Sequence, residues 1–105
     1  MTEIQVGQSG DSFSINERGR THNFLFSDIE RIYGEKKDRI TYDEIELGLE
    51  FLDGNTFWIK ELETGFQALV LAIQESVGSF PPDWYAMVEV TDPGSTTTLW
   101  QRGDR

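Results

Sequence analysis

Three glutamates, Glu44, Glu46 and Glu50, recur at even positions in one stretch, with Asp43 beside them. In an extended chain, side chains at i and i+2 point to the same side and stand about 6.5–7 Å apart. That spacing suits a hard cation held by carboxylate oxygens, or two carboxyl groups working as an acid/base pair. The stretch lacks the glycine-centred loop on which calcium-binding carboxylates usually converge, so the same residues also describe the solvated side of a sheet. His22 is the sole histidine, and no serine nucleophile signature accompanies it. The chain has no cysteine, which removes disulfides, thiol catalysis and thiolate metal sites together. It also has no glycine-rich phosphate loop. The expectation is a protein without catalytic, metal-binding or cofactor-binding residues.

Trp58 and Lys60 share the parity of the glutamates and follow them after a turn. Folded back as a hairpin, Glu44, Glu46, Glu50, Trp58 and Lys60 fall on one sheet face. Trp is among the residues that dominate interface hot spots, so these five form the candidate partner-binding face. The plainer alternative is that a neighbouring segment, such as Trp84 or Trp100, covers Trp58. Nineteen Asp and Glu oppose nine Lys and Arg, for a net charge of −10. Such a field repels phosphate backbones and anionic bilayers, so neither nucleic acid nor membrane is the expected partner. A protein, and a basic one, is. Lys36, Lys37 and Arg39 make one basic cluster, broken by Glu35 and Asp38, which reads as a solvated loop.

The elements that must position these residues belong to one domain, 1–105, by length. The absence of cysteine and of a long apolar stretch fits a cytoplasmic bacterial protein. Short strands separated by turns at Gly7–Asp11 and Asn16–Arg20 open the chain. A strand over Thr21–Phe26 should pair back on Phe13–Asn16, and after Ser27-Asp28 an extended segment resumes at Ile29–Tyr33. Leu47, Leu49 and Phe51 then alternate with polar residues. A three-residue loop, Asp53 to Asn55, pairs Phe51 with Phe57 and Leu49 with Ile59, and places the left-handed conformation on Asn55. Phe66, Leu69, Val70, Ile73 and Val77 give an amphipathic helix over 64–77, with Thr64 and Gln67 as a capping box and Gly78 as the stop, packed on strand residues 45–59. Residues 82–90 suit either helix or strand; the helix is preferred, followed by an extended tail anchored by Leu99 and Trp100. The fold class is α+β: a bent, mainly antiparallel sheet of about six strands closed by one amphipathic helix, with a short C-terminal helix and extended tail.

The phrase Phe26-Ser27-Asp28-Ile29-Glu30-Arg31-Ile32, followed by a long hairpin and then a helix, resembles the small bacterial pleckstrin-homology-like domains of the GRAM type over about residues 20–77. Pro81–Trp84 and Thr98–Trp100 are similar to segments of small uncharacterised bacterial proteins. The first resemblance implies a non-catalytic scaffold for lipid headgroups or peptides. The Gly7–Asp11 turn departs from it, with no Lys or Arg where lipid binders of that group carry them. Three readings stay open: an acidic protein-interaction domain, for example an immunity-type inhibitor of a basic toxin; a lipid- or small-ligand-binding scaffold using Lys36, Lys37 and Arg39; and a metal-binding or enzymatic protein using the Glu44, Glu46 and Glu50 strand.

Overall fold

In the N-terminal third, apolar side chains alternate with polar ones, a period that yields half-buried strands. In the computed structural model, which describes residues 2–38 and 41–103, β1 (Thr2–Val6), β2 (Ser12–Glu17) and β3 (Arg20–Leu25) form an antiparallel meander. Its register sets Ile4 opposite Ile15 and Phe13 opposite Phe24, so Ile4, Phe13 and Ile15 are buried together. β3 is the least buried strand: every residue but Phe24 is exposed.

A 3-10 turn, Phe26–Asp28, carries the chain into a second antiparallel sheet. This sheet holds β4 (Ile29–Asp38), β5 (Asp43–Phe51), β6 (Thr56–Lys60) and β7 (Thr96–Gln101), in the order β6-β5-β4-β7. Among the described residues the architecture is therefore α+β with seven strands in sheets of three and four, instead of one bent sheet of about six. Two misreadings account for the difference. Ser27-Asp28 is the point where the chain changes sheets, because Phe26 turns into the core there. The threonine-rich tail is a full strand paired with β4, with Leu99 buried and Trp100 half-buried.

β4 also runs further than expected. Lys36 and Lys37 pair opposite Ile45 and Glu44 as strand residues, which corrects the solvated loop predicted there. Lys36 Nζ donates to the Glu89 carbonyl at 2.9 Å, and Lys37 forms an ion pair with Glu35. Arg39 lies outside the described residues.

The β5–β6 hairpin keeps the expected parity but not the expected register. Leu49 faces Phe57 and Leu47 faces Ile59, and the three loop residues are Leu52, Asp53 and Gly54. Both registers leave the apolar residues on one side. What decides is the left-handed position: Gly54 takes it, at φ 91°, without the Cβ strain that Asn55 would carry. Asn55 instead donates its N–H to Asp53 Oδ1 at 2.9 Å.

The helix α1 (Phe66–Ser76) buries Phe66, Leu69, Val70 and Ile73, the predicted stripe, with Val77 half-buried just beyond it. Its predicted capping box is absent. The Thr64 carbonyl accepts the Ile4 N–H at 2.9 Å, tying Thr64 to the free edge of β1, and Gly65 becomes the N-cap at φ 91°. A Cβ on Gly65 would stand 2.1 Å from the Ile4 carbonyl oxygen, so this junction admits only glycine. Tertiary pairing thus overrides a good local cap. The backbone of α1 comes nearest to β1 and the 3-10 turn, and its buried side chains share one core with Leu47, Leu49 and Ile59.

Residues 82–90 contain the helix α2 (Trp84–Glu89), which buries Trp84 and Val88 one turn apart. Val88 fits over Gly34 of β4, where a Cβ would come within 2.3 Å of Val88 Cγ2. Among the described residues, no helix is long and apolar enough to cross a membrane.

Candidate functional site

The hairpin parity brings all five predicted residues to one face of the four-stranded sheet. Lys60 stands opposite Glu46 and Trp58 opposite Gly48, with Glu44 and Glu50 further along β5. Across β4, the same face carries Arg31 opposite Glu50, Tyr33 opposite Gly48, Glu35 opposite Glu46 and Lys37 opposite Glu44. Directly opposed side chains in adjacent strands touch, and here the contacts are internal. Glu50 Oε1 accepts from Arg31 at 3.1 Å and from the Tyr33 hydroxyl at 2.8 Å. These bonds, the Tyr33 one foremost, hold the Glu50 carboxyl below its ordinary range, and the same Glu50 contact raises both Tyr33 and Arg31.

Glu44 and Glu46 are only 4% and 6% exposed, which overturns the reading of this strand as a solvated acidic face. Both are engaged by neighbouring groups, and no buried side-chain polar atom among the described residues lacks a hydrogen-bond partner. Trp58 is 41% exposed, and neither Trp84 nor Trp100, both on the core side of the sheet, covers it. Its indole lies flat over Gly48, filling the space a Cβ would need, and stacks beside Tyr33 with ring centroids 6.4 Å apart. Among the described residues, four carboxylates on this face meet three basic groups, so most of their negative surplus sits off this face.

At the end of the same hairpin, Glu61 ties the sheet to α2. Its Oε1 accepts the Ile45 N–H at 3.0 Å and its Oε2 accepts the Tyr85 hydroxyl at 2.8 Å. Partial burial, then the Glu61 bond, pushes the Tyr85 phenol up to about 12.

A second region was not singled out from the sequence. Between the free edge of β3 and the free edge of β6 lies an open cleft of about 600 Å³. Its floor is aromatic: the Phe24 ring stacks on Phe51 at 4.7 Å and meets Phe57 edge-on at 5.1 Å, with Phe13 behind. Leu25 and Leu52 stand on the rim, 47% and 57% exposed. Among the described residues, Asp28 and Asp53 line it and no Lys or Arg does. The Leu52 N–H donates to the Asp28 carbonyl at 2.9 Å, closing the end of the cleft where those two acids sit. His22 is exposed on this wall and its ring lies 5.5 Å from Phe57.

Sequence did hold a signal for this cleft. Phe24-Leu25-Phe26 and Phe51-Leu52 are apolar on both sides of a strand, and a sheet facing water on one side does not require that. Among the described residues, no group of three His, Asp or Glu side chains is placed to hold a metal ion. Compared with family models, curated proteins and solved structures, the chain matches none, so no residue role is carried over from a relative.

Proposed function

We propose that this is a non-catalytic, cytoplasmic protein-interaction domain that captures a basic partner through the cleft between β3 and β6. The observation carrying this reading is the cleft itself: an aromatic floor, two exposed leucines and two carboxylates, with no Lys or Arg among the described residues that line it. Folded monomers seldom leave large apolar side chains grouped in a concavity unless something binds there. Burying Leu25 and Leu52 under a partner supplies about 1–2 kcal/mol each, because both start about half exposed. The net charge of −10 adds long-range attraction that speeds encounter with a basic surface and weakens as salt rises. An immunity-type inhibitor of a cationic toxin is one instance of such a domain. Kinship with the pleckstrin-homology-like group belongs to the same proposal, supported by the two antiparallel sheets with a packed amphipathic helix. The lipid-binding version of that kinship loses support, since Lys36 and Lys37 are committed to Glu89 and Glu35.

The test is retention of proteins from the native cells on the immobilised domain at low and high salt, beside a Leu25→Ser/Leu52→Ser double variant. Basic proteins held at low salt, released at high salt and lost by the variant are expected. Retention that ignores both salt and the two substitutions overturns the reading.

A further inference from the structure

The two sheets are not closed on each other, and their strand edges differ in how they end. β1 is covered, since Thr64 bonds to it and Gly65 lies against it. β3 is not covered, and its hydrogen-bonding phase follows from two independent observations. The Phe26 N–H donates to the Asp11 carbonyl at 3.1 Å, and Arg18 and Gly19, at φ 54° and 79°, form a two-residue turn flanked by the pair Glu17 and Arg20. In an antiparallel ladder, residues that exchange both backbone bonds alternate with residues that exchange neither. Both observations assign Arg20, His22 and Phe24 to bonding with β2. Thr21 and Asn23 therefore turn their N–H and C=O groups outward, and neither makes a turn, loop or cap backbone bond among the described residues.

The same reasoning holds for β6. Phe51 N–H donates to Asn55 and Glu61 N–H to Ile45, so Thr56, Trp58 and Lys60 turn their backbone groups away from β5. Asn23 and Thr56 line opposite sides of the cleft. The aromatic floor thus runs between two unfilled ladders.

We infer that the partner enters as an extended segment that pairs antiparallel to β3, its backbone bonded to Thr21 and Asn23, its alternate side chains apolar and basic. This rests on the function proposed above and specifies the partner's chemistry. Opposed residues in an antiparallel pair share a face. The segment residues bonded to Thr21 and Asn23 therefore lie on the side of those two side chains, away from the floor. Residues between them point the other way, with His22 and Phe24, onto Phe51 and Phe57. Apolar side chains belong in that frame, and the carboxylates of Asp28 and Asp53 at the end of the cleft favour basic residues in the rest of the segment. The pattern is the edge-strand mode of peptide recognition: main-chain bonds give affinity and alternate side chains give specificity. Charge complementarity selects the basic member, because Asp28 and Asp53 line the cleft and no Lys or Arg among the described residues does.

A short N-acetylated peptide amide alternating Lys and Val is the probe, with an alternating Glu and Val peptide as the charge control. Isotope-labelled protein is followed by amide NMR at low salt. Expected are shifts confined to the cleft, slowed exchange of the Thr21 and Asn23 amides, and no response to the acidic peptide. N-methylation of the Lys residues removes the hydrogens aimed at β3 and lowers affinity about tenfold or more, whereas N-methylation of the Val residues leaves it within about twofold. Asn23→Pro deletes one outward N–H without touching the β2 ladder and lowers affinity comparably, with the remaining spectrum unchanged. If the Lys/Val peptide binds in the cleft but both methylated frames bind equally, strand addition is overturned and the proposed function stands. If no cationic peptide binds at all, both fall. Slow Thr21 and Asn23 exchange that strengthens with protein concentration alone identifies a second copy of the chain as the occupant, and overturns the inference.

Discussion

The outer face of the four-stranded sheet and the cleft beside it are built from similar residues and behave oppositely. Each combines aromatics with carboxylates. On the sheet face the groups spend their interactions on one another: Trp58 lies on Gly48, Glu50 is bonded by Arg31 and Tyr33, and Glu44 and Glu46 are buried. In the cleft, Leu25 and Leu52 face water and Asp28 is exposed. Composition therefore does not separate the two regions. Unspent capacity does, and it appears only when each donor, acceptor and apolar surface is followed to its partner.

The difference can be broken or sharpened by substitution. The largest expected effect is on the sheet face. Trp58→Ala uncovers Gly48 and removes the Tyr33 stack, which lowers stability by about 1–3 kcal/mol in denaturant unfolding, with binding of the Lys/Val peptide unchanged. Next, Leu25→Ser with Leu52→Ser leaves stability within about 0.5 kcal/mol per site but weakens the peptide about thirtyfold or more, measured by calorimetry. If the two variants exchanged outcomes, the assignment of roles would be reversed.

Tyr33→Phe is smaller. It deletes the main bond that depresses Glu50, lowers stability slightly, and lets the Glu50 carboxyl rise toward its ordinary value in a carbon-13 NMR titration. The sign follows from linkage. A depressed carboxyl adds stability that is present above its unfolded pKa and is lost as pH falls through the folded value. The acid arm of the stability curve therefore depends less on Glu50 in the variant. The smallest effect is alkaline. The Tyr85 phenol is raised from 10.0 to about 12, so its contribution holds below pH 10.0 and fades as pH climbs through about 12. Glu61→Gln should move its NMR titration downward.

The fold was legible where a local period had one consistent solution. Alternation in β5 and β6 identified the shared face of Glu44, Glu46, Glu50, Trp58 and Lys60, and the helical stripe identified α1. It failed where a residue serves something distant in sequence. Thr64 reads as a cap but bonds Ile4, and parity alone accepts a loop at 52–54 or 53–55. Alternation also tells which way Glu44 and Glu46 point without telling what covers them. The cleft was least legible, because β3 and β6 meet only after the chain changes sheets at Phe26–Asp28.

Gly34 has a consequence for the far end of the molecule. The methyl of Val88 occupies the place where a side chain on that strand would stand. A single hydrogen there acts as the seat of a lever. Any larger group would tilt the short helix outward, drag Tyr85 from Glu61 and loosen the grip on the Ile45 amide. The spacing between the C-terminal segment and the sheet is thus gauged by the smallest residue in the chain.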